Sequence, residues 1–209
     1  MRKSSELTAL EAEIGRCRVC VEHPAGRPLP HEPRPVVRLS ATARIVLAGQ
    51  APGTRVHASG MPYTDPSGDR LRAWMGVSAE EFYDVSRIAI VPMGFCFPGL
   101  DAKGGDLPPR RECRRTWHDR TFALMPQVRL VVAIGLYAQD YHLPRLGWAD
   151  WKTKSLTETV AAFAAFQDAP VPVIPLPHPS WRNNAWIKKN PWFERDLLPV
   201  LRSEVRALL

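Results

Sequence analysis

No stretch of this chain approaches the roughly 20 consecutive apolar residues that a membrane-spanning helix needs, so no membrane association is expected. The opening Met1-Arg2-Lys3-Ser4-Ser5-Glu6 lacks the apolar centre of a secretory signal. A cytoplasmic location is therefore the expectation. No internal repeat is present. Proline is plentiful, at 21 residues, but it is spread through loops and forms no disordered tract. Cysteine is scarce, at four residues, and without an export signal these thiols are not expected to form disulfides.

What is present describes a globular protein. The chain has 209 residues, of which 45% are hydrophobic and 23% charged. One domain spanning 1–209, with a core of its own, is expected. The 28 basic and 21 acidic residues leave a net charge of +7, which suits a polyanionic partner such as nucleic acid. Arg110, Arg111, Arg114, Arg115 and Arg120 lie close together, and Arg182, Lys188 and Lys189 flank a Trp-rich segment. Basic side chains interleaved with aromatics offer charge to phosphates and rings to bases. A solvated helix face with incidental tryptophans is the competing account.

The stretch from Arg44 to Met75 organises the rest. Ile45 to Ala48 is an apolar run closed by Gly49 and Pro52-Gly53, the pattern of a short buried strand ending in a turn. A polar loop follows, and Ser67-Gly68-Asp69 opens a helix with Leu71, Trp74 and Met75 on one face. Ligands of open α/β sheets bind at such carboxyl ends of strands. This loop carries Gln50, His57, Tyr63, Asp65 and Asp69. Further strands are expected at 88–92, 128–134 and 171–176, and helices at 1–20, around 113–125, at 155–167 and at 192–208. Strands alternating with helices indicate a parallel sheet covered on both faces.

The cysteines fall into two pairs, Cys17/Cys20 as C-x2-C and Cys96/Cys113 as C-x16-C. Four thiolates suit a tetrahedral zinc or an iron–sulfur cluster, and the wide second pair leans towards the cluster, with zinc as the alternative. Unrelated buried thiols are the plain alternative.

Together these features resemble the uracil-DNA glycosylase superfamily, in particular its iron–sulfur branch, family 4. That branch has an N-terminal C-x2-C, a G-E-A-P-G motif, a G-x-P-F segment, a late cysteine pair and a C-terminal H-P-S or H-P-A. Here they stand as Cys17/Cys20, Gly49-Gln50-Ala51-Pro52-Gly53, Gly60-Met61-Pro62-Tyr63, Cys96/Cys113 and His178-Pro179-Ser180. Each motif is short, but the five occur in order across residues 17–183. The resemblance implies a three-layer α/β/α sandwich around a parallel four-stranded sheet. It also implies a 4Fe–4S cluster on Cys17, Cys20, Cys96 and Cys113, DNA with a damaged base as partner, and a monomer that hydrolyses N-glycosidic bonds. His178 is the implied donor to the leaving base, or else a histidine that merely caps a strand. Tyr63 is the implied stacking ring, with the backbone of Gly49, Gln50, Ala51, Pro52 and Gly53 around the base.

This sequence departs from the pattern twice. Gln50 replaces the carboxylate of G-E-A-P-G and cannot act as a base. A phrase of the family-5 branch, F-T-G-D-x-S-G-D, is similar to Tyr63-Thr64-Asp65-Pro66-Ser67-Gly68-Asp69. It makes Asp65 the expected water-activating residue, with Asp69 second and more suited to capping the helix. Pro92 stands where the base-reading asparagine would be, so another deaminated base competes with uracil as target. Asn183 is the expected substitute reader, with Asn184, unless they meet phosphate. Ser180, Trp181 and Arg182 form the expected DNA contact, Trp181 as a wedge and Arg182 on a phosphate; core packing is the rival role for Trp181. The competing functions are a non-catalytic module that binds DNA or nucleotides, and a hydrolase of free nucleosides.

Overall fold

The structure is a computed structural model that describes residues 2–151 and 154–209. Its centre is four strands: β1 (Ile45–Ala48), β2 (Ile88–Ile90), β3 (Leu130–Ile134) and β4 (Val173–Leu176). They pair in the order β2-β1-β3-β4, and every pairing is parallel. Val46 lies between Ala89 and Val131, and Ala133 lies opposite Pro175. Because β4 is an edge strand, no second neighbour needs the N–H that Pro175 lacks.

The helices in chain order are α1 (Arg2–Gly15), α2 (Val19–Glu22), α3 (Thr54–Ser59), α4 (Pro66–Met75) and α5 (Ala79–Tyr83). They continue with α6 (Arg111–Ala123), α7 (Leu136–Arg145), α8 (Leu156–Ala161), α9 (Asn184–Lys189) and α10 (Leu198–Leu208). Successive strand residues point to opposite faces. Val46, Ala48, Val131 and Ala133 pack with Leu10 and Ile14 of α1, Trp117 of α6 and Leu143 of α7. Ile45, Leu47, Val132 and Ile134 pack with Leu71 and Trp74 of α4, Phe82 of α5 and Leu201 and Val205 of α10. The result is the expected three-layer α/β/α sandwich. Apolar residues on both strand faces, rather than alternation, follow from having helices on each side.

Three local expectations are corrected. The segment after Pro52, read as loop, contains α3, which its sequence hides because it is only one and a half turns long and buries no residue. The region 155–167 is not one helix but α8 followed by a 3₁₀ turn, Phe163–Phe166. The single helix expected over 192–208 begins as a π-helix, Phe193–Leu197, before α10. Pro199 then falls in the first turn of α10, where its missing N–H would have had no intrahelical partner.

Leu201 is fully buried on the α10 side of the sheet. Leu201→Ala is expected to cost about 2–5 kcal/mol, read as a lower urea midpoint at unchanged slope. The exposed Lys188→Ala should shift stability by less than about 0.5 kcal/mol.

Candidate active site

The loop between α3 and α4 is built around one strained residue. Tyr63 has φ 59°, the only positive φ outside glycine among the described residues. For an L-residue this left-handed conformation costs roughly 1–2 kcal/mol. It is held by its own carbonyl, which accepts from the Tyr83 hydroxyl at 2.9 Å and from Arg72 Nη1 at 3.1 Å. The same carbonyl presses on α4 so closely that a Cβ on Gly68 would sit 1.9 Å from it. Only glycine fits there. The Tyr63 hydroxyl reaches Gly49 at the end of β1, where a Cβ would stand 2.7 Å away. Burial, and next Asp65, push the Tyr63 phenol well above its usual range, so the ring stays neutral.

Asp65 caps α4. Its Oδ1 accepts from Ser67 Oγ at 2.6 Å and from the Gly68 N–H at 3.3 Å, and Pro66 follows in the first turn. Asp69, expected to be the cap, instead pairs with Arg72 at 2.6 Å, its side chain 77% exposed. The two aspartates therefore exchange the expected capping role. Pro66 decides it, because proline is favoured just after the cap, which places the helix start at Asp65.

Beside this loop lies a cavity of about 370 Å³, within the range of small-molecule sites. The expected residues Gly49, Gln50, Ala51, Pro52, Gly53, Tyr63, Asp65 and His178 all line it. Asp69, Asn183, Ser180, Trp181 and Arg182 do not. Pro92 also lines the wall and offers no side-chain hydrogen bond.

His178 enters from the exit of β4. Its ring is exposed to solvent in the concave mouth, yet closely surrounded by protein. Loss of hydration is the largest influence on it and lowers its pKa, against the opposing pull of Asp65 and Asp106 and with help from Arg182. A neutral imidazole at physiological pH follows. Asn183 does not face the cavity as a base reader would. Its amide donates to the His178 carbonyl at 2.7 Å, bracing the H-P-S turn. Arg70 Nη1 adds bonds to the Ser180 carbonyl at 3.1 Å and to Asn184 Oδ1 at 2.8 Å. Trp181 is 74% exposed, which excludes core packing, and the Arg182 guanidinium lies 6.0 Å from its ring centre.

The one carboxylate of the lining that the sequence reading missed is Asp106. It sits in a hairpin where Leu100 and Asp106 bridge antiparallel and the Leu107 N–H donates to the Gly99 carbonyl at 2.9 Å. Asp101 Oδ1 closes the turn by accepting from the Lys103 and Gly105 N–H groups, each at 2.8 Å. Gln50 Nε2 reaches the Leu107 carbonyl at 3.4 Å, tying this hairpin to the β1 loop. The only sequence signal was an acidic residue in a Gly/Pro loop.

The four cysteines meet elsewhere. Cys17, Cys20, Cys96 and Cys113 line one small cavity with Pro33, Pro35, Phe95, Arg110 and Trp117. Cys113 Sγ accepts from the Phe95 N–H and Cys17 Sγ from Trp117 Nε1, each at 3.2 Å. Burial raises the thiol pKa values of Cys20 and Cys113 and pushes that of Cys96 up to about 12. Among the described residues, no three His, Cys, Asp or Glu side chains are arranged to hold a single metal ion.

A family model described as the uracil DNA glycosylase superfamily matches residues 37–202. That span contains every lining residue of the larger cavity except Val36.

Gly68→Ala tests the clamp on Tyr63. The added methyl meets a backbone carbonyl that cannot swing away, so stability should fall by about 1–3 kcal/mol. Tyr63→Phe, which keeps the backbone, should leave stability nearer the parent in the same thermal melts.

Proposed function

The chain belongs to the uracil-DNA glycosylase superfamily, and from that premise we propose that it hydrolyses the N-glycosidic bond of uracil or another deaminated base in DNA. The observation that carries this is the convergence of Tyr63, Asp65 and His178 on one cavity. A base inside a duplex is out of reach, so the target nucleotide must be extruded into the cavity. There the Tyr63 ring offers a stacking surface and the 49–53 backbone a wall. As the bond breaks, negative charge moves onto the base, and the neutral His178 imidazole donates an N–H to its carbonyl oxygen. The sugar becomes positive, and the fixed carboxylate of Asp65 stabilises it. The exposed Trp181 fills the space the base leaves, with Arg182 at a phosphate. Release of the base ends the reaction, with no strand cleavage by the protein itself.

We further propose, from the resemblance to the iron–sulfur branch, that the four cysteines hold a 4Fe–4S cluster. Four thiols on one apolar cavity, two of them receiving N–H donors, support this. A tetrahedral zinc on the same four thiolates is the alternative, and the wide second pair favours the cluster. The cluster would cross-link the turn between α1 and α2, α2 itself, the long loop after β2 and α6.

Gln50 and Pro92, in place of a carboxylate and an asparagine, favour a second reading, a non-catalytic module for damaged DNA. Incision assays on oligonucleotides carrying uracil, hypoxanthine or xanthine separate the two: excision of at least one base is expected, and binding without excision supports the module. Asp65→Asn keeps a good helix cap and should slow excision by roughly 10²-fold. Purified protein should be brown, and Cys96→Ser should bleach it and lower its melting temperature.

A further inference from the structure

Hydrolysis of an N-glycosidic bond asks two things of carboxylates: negative charge near the sugar, and an acceptor for the proton of the attacking water. Asp65 is fixed by the N-terminus of α4, its Oδ1 already accepting from Ser67 and Gly68. Asp106 faces the same cavity from another direction, and its side chain accepts no hydrogen bond from any described residue. Its Oδ2 lies above Gly53, 3.5 Å from where a Cβ would stand, so the β1 loop leaves room beside it. Resting on the glycosylase reading, we propose that Asp106 is the general base of the reaction, carried to the cavity on the 99–107 hairpin that Gln50 tethers.

The arrangement explains the glutamine. Where family 4 has a glutamate in G-E-A-P-G, this chain has an amide that can donate, and the carbonyl it reaches belongs to the residue after Asp106. The carboxylate is relocated rather than lost. In the step itself, a water oxygen bonds to the anomeric carbon as the carbon–nitrogen bond breaks. The bonding pair leaves with the base, whose oxygen His178 supports. The water's proton passes to Asp106, which later releases it to solvent.

The electrostatic surroundings fit a base rather than a fixed counter-charge. Crowding by the protein raises the Asp106 pKa, while Arg182 and His178, the charged and titratable groups facing it, pull the other way. A raised pKa brings a carboxylate nearer to the value that accepts protons efficiently at neutral pH. The carboxylate must be ionised to act, so the rate falls as pH drops through its raised pKa.

The test is the single-turnover excision rate as a function of pH for wild type, Asp106→Asn and Asp65→Asn, on whichever deaminated base the wild type removes. Asp106→Asn should lower the rate by roughly 10²–10⁴-fold and move its decline at acid pH to lower pH. Asp65→Asn should be slower than wild type but keep that decline. Binding to a duplex bearing a non-cleavable 2′-fluoro nucleotide should be no weaker in Asp106→Asn, which separates chemistry from folding. Asp106→Asn within about threefold of wild type, or with its acid decline unmoved from the wild-type pH, overturns the assignment and leaves the glycosylase reading standing. A wild type that excises no base at all overturns both.

Discussion

The site depends on the contact between the Tyr63 carbonyl and α4. A residue in the left-handed region is unfavourable by itself, and three groups on α4 and α5 hold it there: Gly68 by having no side chain, Tyr83 and Arg72 by donating hydrogen bonds. The outcome is a tyrosine ring aimed at the end of β1, with its hydroxyl against Gly49. Asp65, two residues on, is fixed by the same helix start. Strain in the backbone and the helix cap thus position the ring and the first carboxylate together.

His178 reaches the same place by a separate route. It leaves the edge strand β4 on a turn braced by Asn183 and Arg70 rather than by burial in a core. The sheet is what brings the two routes together, because parallel strands deliver all their carboxyl ends to one rim. Asp106 adds a third route, a hairpin closed by its own turn and tied back to that rim. Neutral His178 between two aspartates keeps a hydrogen-bond donor available without holding a full positive charge against the arginine beside it.

Much of this was legible in the residues. β1 and β3 announced themselves as apolar runs too continuous to be half-buried, and they are buried throughout. Tyr63, Asp65 and His178 sat in short motifs whose order was recognisable. What stayed hidden had no periodic or motif signal. α3 is too short to show a face, and the π-helical start before α10 preserves the apolar spacing of an ordinary helix closely enough to pass for one. Asp106 is one acid in a Gly/Pro loop, and only the closed hairpin shows that it faces the cavity. Asn183 misled for the opposite reason: an amide near a catalytic turn looks like a reader of bases, yet its hydrogen bond is spent within the turn.

The central claim is that one cavity at the rim of this sheet receives an extruded nucleobase. A crystal structure with a duplex bearing a non-cleavable deaminated nucleotide tests it most directly. The account predicts the base out of the stack, its face on Tyr63, a carbonyl oxygen at His178 and Asp106 on the side of the sugar away from the base. A base still stacked in the duplex, with Tyr63 and His178 facing only solvent, would contradict it.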